Sequence, residues 1–96
     1  MADFRCAIDL ASLPLARLEA VLRSLESADA DEVYCCVRDG LFEGPHSGGP
    51  EIVRTLRGCC RLPVHVHLAT VRPEKWLAAY AEAGAHAITV QVEACL

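Results

Sequence analysis

The clearest pattern in the chain is a strict alternation of apolar and polar residues over Val64–Leu68. Because successive side chains of a strand point to opposite faces, this segment is predicted to be a strand with one apolar and one polar face. The segment Val33–Val37 repeats the arrangement. We interpret the two polar faces as the lining of one shared interior, with the last residue of each near its mouth. The polar side chains are those of Tyr34, Cys36, His65 and His67.

Strand and helix patterns alternate along the rest of the chain. A first strand is predicted over Phe4–Asp9. An amphipathic helix of about four turns follows, with Ser12 as its N-cap and Pro14 in its first turn. The remaining elements are a helix over about Pro50–Arg57, a helix over Val71–Ala83 and a strand over about Ala87–Val92.

The order β-α-β-α-β-α-β predicts an α/β fold with a parallel sheet and crossover helices. Four strands are too few to close a barrel, so the fold is expected to be half of a barrel or a small open sheet. In such folds the chemistry lies where the strands end and the loops to the helices begin. The residues predicted at this edge are Asp9, Cys36, Arg38, Asp39, His67, Gln91 and Glu93.

Length and charge narrow the class of protein. The chain has 96 residues and a net charge of −4, which suits one small domain and argues against nucleic acid as a partner. It contains no apolar run of the ~20 residues that a membrane span needs. No secretory signal is recognised at its start, so a cytoplasmic protein is expected, with a plastid origin left open. Its six cysteines include two adjacent pairs that suit disulfides poorly, and most are interpreted as reduced, buried apolar residues.

Several motifs resemble those of the ribulose-phosphate 3-epimerase family. One is the run Val37-Arg-Asp-Gly-Leu-Phe42 with Gly49-Pro50 further along the same loop, which resembles a His-x-Asp-Val-Met-Asp-Gly-x-Phe segment followed by Gly-Pro. Another is Leu62–Leu68, which resembles an Asp-Val-His-Leu-Met segment. The resemblance covers nearly all of this chain but only the N-terminal half of the family's fold. Further matches are Ala16-Arg-Leu18, Pro73, Trp76, Ala83-Gly-Ala85, Val90 and Glu93.

The resemblance implies that residues 1–96 form a single partial domain, half of a phosphate-binding TIM (β/α)8 barrel. The family interconverts D-ribulose 5-phosphate and D-xylulose 5-phosphate. Two carboxylates on opposite faces of the substrate remove and replace the proton next to its carbonyl group. A divalent metal held by two His and the same two Asp stabilises the oxyanion. The implied ligand is therefore a sugar phosphate, and the implied cofactor is Zn, Fe, Mn or Co, or none in this substituted chain.

The family's site residues map unevenly onto this chain. His67 matches the second metal His, whereas Tyr34 stands at the first metal His and Cys36 at the first catalytic Asp. Asp39 matches a supporting Asp, and Asp9 falls at or beside a Ser. Cys36 and Tyr34 are compatible with an altered metal shell around His67, since thiolate and imidazole suit zinc, and substitution by drift is the alternative. The resemblance leaves Cys36, Asp39 and Asp9 as catalytic candidates, although Asp9 and Asp39 also suit a capping role.

Three hypotheses follow. In the first, the chain is a truncated epimerase-family protein with weak or no activity on its own. In the second, it is a non-catalytic half-barrel that forms homo-oligomers or binds a partner through its open sheet edges. In the third, it is a metal-binding module that uses Cys36 and His67. His65 and His46 are interpreted as a spacer and a loop residue.

Overall fold

The computed structural model describes residues 5–40 and 49–95. The loop residues Phe42 and His46, and Phe4 of the predicted first strand, lie outside this part of the chain. The strands are β1 (Ala7–Asp9), β2 (Glu32–Arg38), β3 (Val64–Ala69) and β4 (Ala87–Val90). The α-helices are α1 (Leu18–Ser27), α2 (Pro50–Cys59) and α3 (Leu77–Ala83). Short 3₁₀ turns occur at Leu10–Ser12, Leu15–Arg17, Pro73–Lys75 and Val92–Ala94.

The four strands form one parallel sheet in the order β1-β2-β3-β4. Each strand therefore lies beside the next one in the sequence, which is the order expected for half of a TIM-type barrel. The predicted α/β fold class is confirmed. The register of the sheet places Cys36 of β2 opposite His67 of β3, and His67 opposite Thr89 of β4.

The apolar face of the sheet is the core of the molecule, and we call it the outer face. Its side chains in β2 and β3 are at most 5% exposed, as the alternating pattern predicted. Buried residues of all three α-helices pack against them, so the helices cover this face. The outer-face residues are Val33, Cys35, Val37, Val64, Val66 and Leu68, and the helix residues are Leu22, Val53, Leu56, Tyr80 and Ala83.

The first helix starts later than predicted. Leu13 has extended backbone angles (φ −99°, ψ 145°), because a residue that precedes proline is disfavoured in the helical region. Two 3₁₀ turns, at Leu10–Ser12 and Leu15–Arg17, therefore precede α1. The helix begins only at Leu18, with Arg17 rather than Ser12 at its N-cap position. The predicted helix of about four turns is reduced to ten residues.

The third helix is also shorter than predicted, and its ends have identifiable causes. Arg72 adopts the left-handed conformation (φ 49°), so the regular helix does not run from Val71, and α3 begins at Leu77. It ends at Gly84 with φ 110°, which glycine tolerates without strain. A Cβ at Gly84 would lie 2.9 Å from Arg57 Cγ, so the close approach of α2 also favours glycine here.

The fourth strand ends two residues before its predicted end. β4 stops at Val90, and Val92 lies in a 3₁₀ turn with 80% of its surface exposed. Val90 itself is 36% exposed although it has the parity of the outer face. In the described residues, no helix is both long and apolar enough to cross a membrane.

Candidate functional site

The opposite face of the sheet, which we call the inner face, carries polar side chains from three neighbouring strands. It consists of alternate residues of β2 and β3 together with one residue of β4, in the same register that buries the outer face. The β2 and β3 members are half-buried rather than buried. The polar side chains of β2 and β3 therefore share one face of the sheet, as the alternation predicted. The inner-face residues are Tyr34, Cys36, His65, His67 and Thr89.

A hydrogen bond between Tyr34 and His67 joins β2 to β3 across this face. The Tyr34 hydroxyl lies 2.7 Å from Nδ1 of His67. The register pairs Tyr34 with His65, so the phenol reaches diagonally towards the carboxyl end of β3. Its ring also contacts the edge of the His65 ring, with centroids 5.7 Å apart and planes at 77°. Tyr34 is thus held by both histidines of β3.

His65 belongs to a second polar group nearer the amino end of the strands. Its Nε2 lies 2.7 Å from the Thr89 hydroxyl, and its Nδ1 lies 3.8 Å from a carboxylate oxygen of Glu32. Glu32 is also 3.9 Å from the Arg5 guanidinium. The sequence interpretation treated His65 as a spacer, whereas the structure gives it two polar neighbours. Because His65 and His67 are two residues apart in one strand, the sequence already indicated that both face the same side of the sheet.

Three buried polar atoms in the described part of the chain have no hydrogen-bond partner: His67 Nε2, Gln91 Oε1 and Thr70 Oγ1. An unsatisfied buried group costs about 1–3 kcal/mol and calls for an explanation. All three residues lie near the carboxyl ends of β3 and β4, where parallel sheets usually bind ligands. Thr70 lines a cavity of about 150 Å³ with Val37 of the outer face, so it does not belong to the inner face.

The two candidate carboxylates lie at strand ends and accept backbone hydrogen bonds. Asp9 accepts one from the amide of Ala11 at 3.1 Å, which caps the 3₁₀ turn after β1. Asp39 accepts one from the amide of Val71 at 2.9 Å, which ties the loop after β2 to the loop after β3. Both positions are at the predicted edge of the sheet, and both carboxylates organise loops there.

The adjacent thiols of Cys35 and Cys36 point to opposite faces. Cys35 is 2% exposed in the core, and burial raises the pKa of its thiol from 9.0 to about 11. Cys36 is half-buried and lines a cavity of about 290 Å³ with Leu10, Leu13 and Arg38. Cys35 lines the same cavity, and Cys36 is the more exposed of the two. None of the six cysteines forms a disulfide. The prediction that most of them are buried is wrong, because only Cys35 is buried, while Cys6 and Cys95 are exposed.

A divalent metal does not fit the donor set that these residues provide. Within residues 5–40 and 49–95, no group of three or more His, Cys, Asp or Glu side chains is arranged to hold a metal ion. With Nδ1 hydrogen-bonded to Tyr34, His67 offers one ring nitrogen, and Cys36 opposite it on β2 offers one thiol, so the pair supplies two donors. Sites for catalytic metals usually provide three protein ligands.

Comparison with known proteins points to one family. The model of the ribulose-phosphate 3 epimerase family matches residues 5–96. The chain is 34% identical over 91 residues to a ribulose-phosphate 3-epimerase of Bacillus subtilis (strain 168), which covers 95% of the chain and 42% of the relative. It is 36% identical over 87 residues to a ribulose-phosphate 3-epimerase of Synechocystis sp., which covers 91% of the chain and 38% of the relative.

A chloroplastic ribulose-5-phosphate-3-epimerase of Arabidopsis thaliana is 32% identical over 91 residues. That match covers 95% of the chain and 32% of the relative. The chain thus spans well under half the length of the curated relatives that it matches.

Proposed function

Because this chain belongs to the ribulose-phosphate 3-epimerase family, we propose that its inner face forms half of a binding site for D-ribulose 5-phosphate. The reaction served by this site is the interconversion of D-ribulose 5-phosphate and D-xylulose 5-phosphate. The 96 residues alone convert the sugar phosphate weakly or not at all. The second carboxylate and the phosphate-binding loops of the family belong to the half of the barrel that the resemblance does not cover.

The observation that carries this proposal is the placement of Cys36 and His67. They are paired in register on neighbouring strands and face the same side of the sheet. They stand at two positions that the family uses for catalysis and for metal binding. Tyr34, at a third such position, contacts His67 directly. This juxtaposition supports the proposal, although two of the residue types differ from those of the family.

The identity of residue 36 explains why weak activity is expected. A positioned general base contributes about 10²–10⁴-fold to the rate of proton transfer. The thiol of Cys36 replaces a carboxylate at the position where the family removes the proton. Replacement of that carboxylate therefore lowers the rate by at least a factor of about 100.

The test is exchange of the proton next to the carbonyl of D-ribulose 5-phosphate in deuterium oxide, followed by proton NMR. Exchange needs only one base on one face, so half of a site can support it. We expect slow exchange with the natural chain and exchange at least ~100-fold faster with Cys36→Asp. The accelerated exchange should disappear in the double variant Cys36→Asp, His67→Ala. The matched control is Cys36→Asp with His86→Ala, because His86 is exposed.

Two results would contradict the proposal. One is a Cys36→Asp variant that folds normally but neither binds D-ribulose 5-phosphate nor exchanges its proton. The other is rapid exchange by the natural chain that survives His67→Ala, since this would place the chemistry outside the inner face.

A second candidate function is self-association of the half-barrel. β1 and β4 each pair with one neighbouring strand among the described residues, so each leaves an edge able to pair with another chain. Val90 and Val92 are exposed beside the β4 edge and would be covered by such pairing. Sedimentation equilibrium distinguishes this function: a dimer supports it, and a folded monomer throughout the micromolar range excludes it. A Val92→Lys variant should weaken the dimer without unfolding the monomer.

A further inference from the structure

We infer that Tyr34 holds His67 as a hydrogen-bond donor to an oxygen of the ligand, in place of the metal-binding role that the family's pattern implies. The inference rests on the proposed function for the identity of the ligand, but not for the state of the imidazole. It concerns the residues Tyr34, His67 and Gln91. In this account Tyr34 is a positioning residue, and His67 and Gln91 contact the ligand.

The hydrogen bond between Tyr34 and His67 assigns the tautomer of the ring. A neutral imidazole has one nitrogen that donates and one that accepts. A phenol O–H is a stronger acid than the N–H of a neutral imidazole, so the Tyr34 hydroxyl donates and Nδ1 of His67 accepts, at 2.7 Å. The remaining ring proton is then on Nε2. A second partner thus fixes the ring state, as it does for many functional histidines.

This tautomer leaves the N–H group on Nε2 of His67 as a hydrogen-bond donor for a ligand. Nε2 of His67 is buried and has no hydrogen-bond partner among residues 5–40 and 49–95, so its N–H group is unsatisfied by this part of the chain. It cannot bind a metal through Nε2 without losing that proton, because a metal needs the free lone pair. An oxygen atom that accepts a hydrogen bond satisfies it directly. In a site sheltered from water such a bond is worth more than the same bond in solvent.

Gln91, the residue that follows the end of β4, supplies the complementary group. It has extended backbone angles (φ −96°, ψ 124°), so it continues the alternation of β4 and has the parity of Thr89 on the inner face. Its Oε1 is a buried acceptor that has no partner in the part of the chain that the structure describes. A donor on β3 and an acceptor just beyond the end of β4 suit a ligand that carries a carbonyl oxygen beside a hydroxyl. An α-hydroxy ketone has this pattern.

The role of such a donor follows from the chemistry of proton removal beside a carbonyl. When the proton leaves, negative charge develops on the carbonyl oxygen. A fixed N–H group aimed at that oxygen stabilises the charge, in the manner of an oxyanion hole. The neutral His67 would thus polarise the carbonyl by hydrogen bonding. No divalent cation is needed for this interaction.

The first experiment determines the ring state without any ligand. Two-dimensional NMR of the folded chain with ¹⁵N-labelled histidine distinguishes protonated from unprotonated ring nitrogens. For neutral His67 we expect a protonated Nε2 and an Nδ1 whose signal is displaced by hydrogen bonding. Tyr34→Phe should remove that displacement, whereas Tyr80→Phe should preserve it, because Tyr80 lies in the core on the outer face. An unprotonated Nε2 would overturn the inference, as would an Nδ1 signal unaffected by Tyr34→Phe.

The second experiment tests the metal directly. Stoichiometric Zn²⁺ added to the natural chain should leave both ring-nitrogen signals of His67 unchanged. A change at His67 that follows the Zn²⁺ concentration and is reversed by a chelator would overturn the inference. His86, which is exposed, serves as an internal reference for nonspecific binding.

The third experiment adds D-ribulose 5-phosphate and separates this inference from the proposed function. His67→Gln keeps an N–H donor and should retain affinity within about threefold, whereas His67→Leu should weaken binding by about tenfold. Equal losses in the two variants would overturn the donor role. Absence of binding by the natural chain would contradict the proposed function, and the ring state measured without ligand would still decide the assignment of His67.

Discussion

The two faces of the sheet are built from alternate residues of the same strands, yet they differ in composition, burial and hydrogen bonding. Outer-face side chains such as Val66 and Leu68 are fully buried and apolar. Inner-face side chains such as Tyr34 and His67 are half-buried and joined by hydrogen bonds. The outer face supplies the stability of the fold, and we propose that the inner face carries its chemistry. Substitutions at adjacent positions should therefore have very different consequences.

The largest difference is expected between Cys35→Asp and Cys36→Asp. The first places a carboxyl group among buried apolar residues, where lost hydrogen bonds to water cost roughly 5 kcal/mol. The second places the same group on the half-buried inner face, and should change the free energy of unfolding by at most about 1 kcal/mol. Urea denaturation followed by circular dichroism measures both. Equal destabilisation of the two variants would mean that the faces are not distinct.

A smaller change in the free energy of unfolding is expected when the buried thiol of Cys35 ionises. Burial raises the pKa of Cys35 from 9.0 to about 11, so between these pH values the unfolded chain loses a proton that the folded chain keeps. The contribution to stability is complete below pH 9 and is lost as the pH rises to about 11. The two-unit shift corresponds to about 2–3 kcal/mol.

Urea denaturation near pH 8 and near pH 11 tests this shift, with Cys35→Ala as the reference. The natural chain should lose about 2–3 kcal/mol more than the variant over this range. Parallel loss of stability in the two proteins would show that Cys35 is not protected by the core.

The smallest effect is expected from removal of the inner-face hydroxyl. Tyr34→Phe breaks the hydrogen bond to His67 and should lower the free energy of unfolding by about 1 kcal/mol. Tyr80→Phe is the matched control on the outer side of the sheet. A loss above about 3 kcal/mol for Tyr34→Phe would give this face a larger role in stability than we assign to it.

Sequence patterning predicted the faces of the sheet well because strand periodicity has a direct physical basis. The alternation over Val64–Leu68 sorted buried from half-buried residues correctly. Helix beginnings were less predictable, since they depended on local backbone conformations. The periodicity of apolar residues predicted two helices that were too long. One is shortened by the extended backbone of Leu13 before Pro14, and the other by the left-handed backbone of Arg72.

The hydrogen bonding of the site could not be derived from alternation. The bond between Tyr34 and His67 is diagonal, so it depends on the strand register and on side-chain conformation as well as on parity. The unsatisfied state of Gln91 depends on packing around a residue beyond the end of β4. Motif resemblance identified His67, Cys36 and Tyr34 as the positions of interest, but not the contact that fixes the His67 ring.

The most direct test of the account is to map D-ribulose 5-phosphate onto the folded chain by NMR. Side-chain and amide signals of the inner face and the outer face should be followed together during the titration. The account predicts that the ring signals of Tyr34 and His67 and the side-chain amide of Gln91 shift with a common Kd. Signals of the outer-face residues Val66 and Leu68 should remain in place. A folded chain whose inner-face signals do not respond to the sugar phosphate would contradict the assignment of this face as the site.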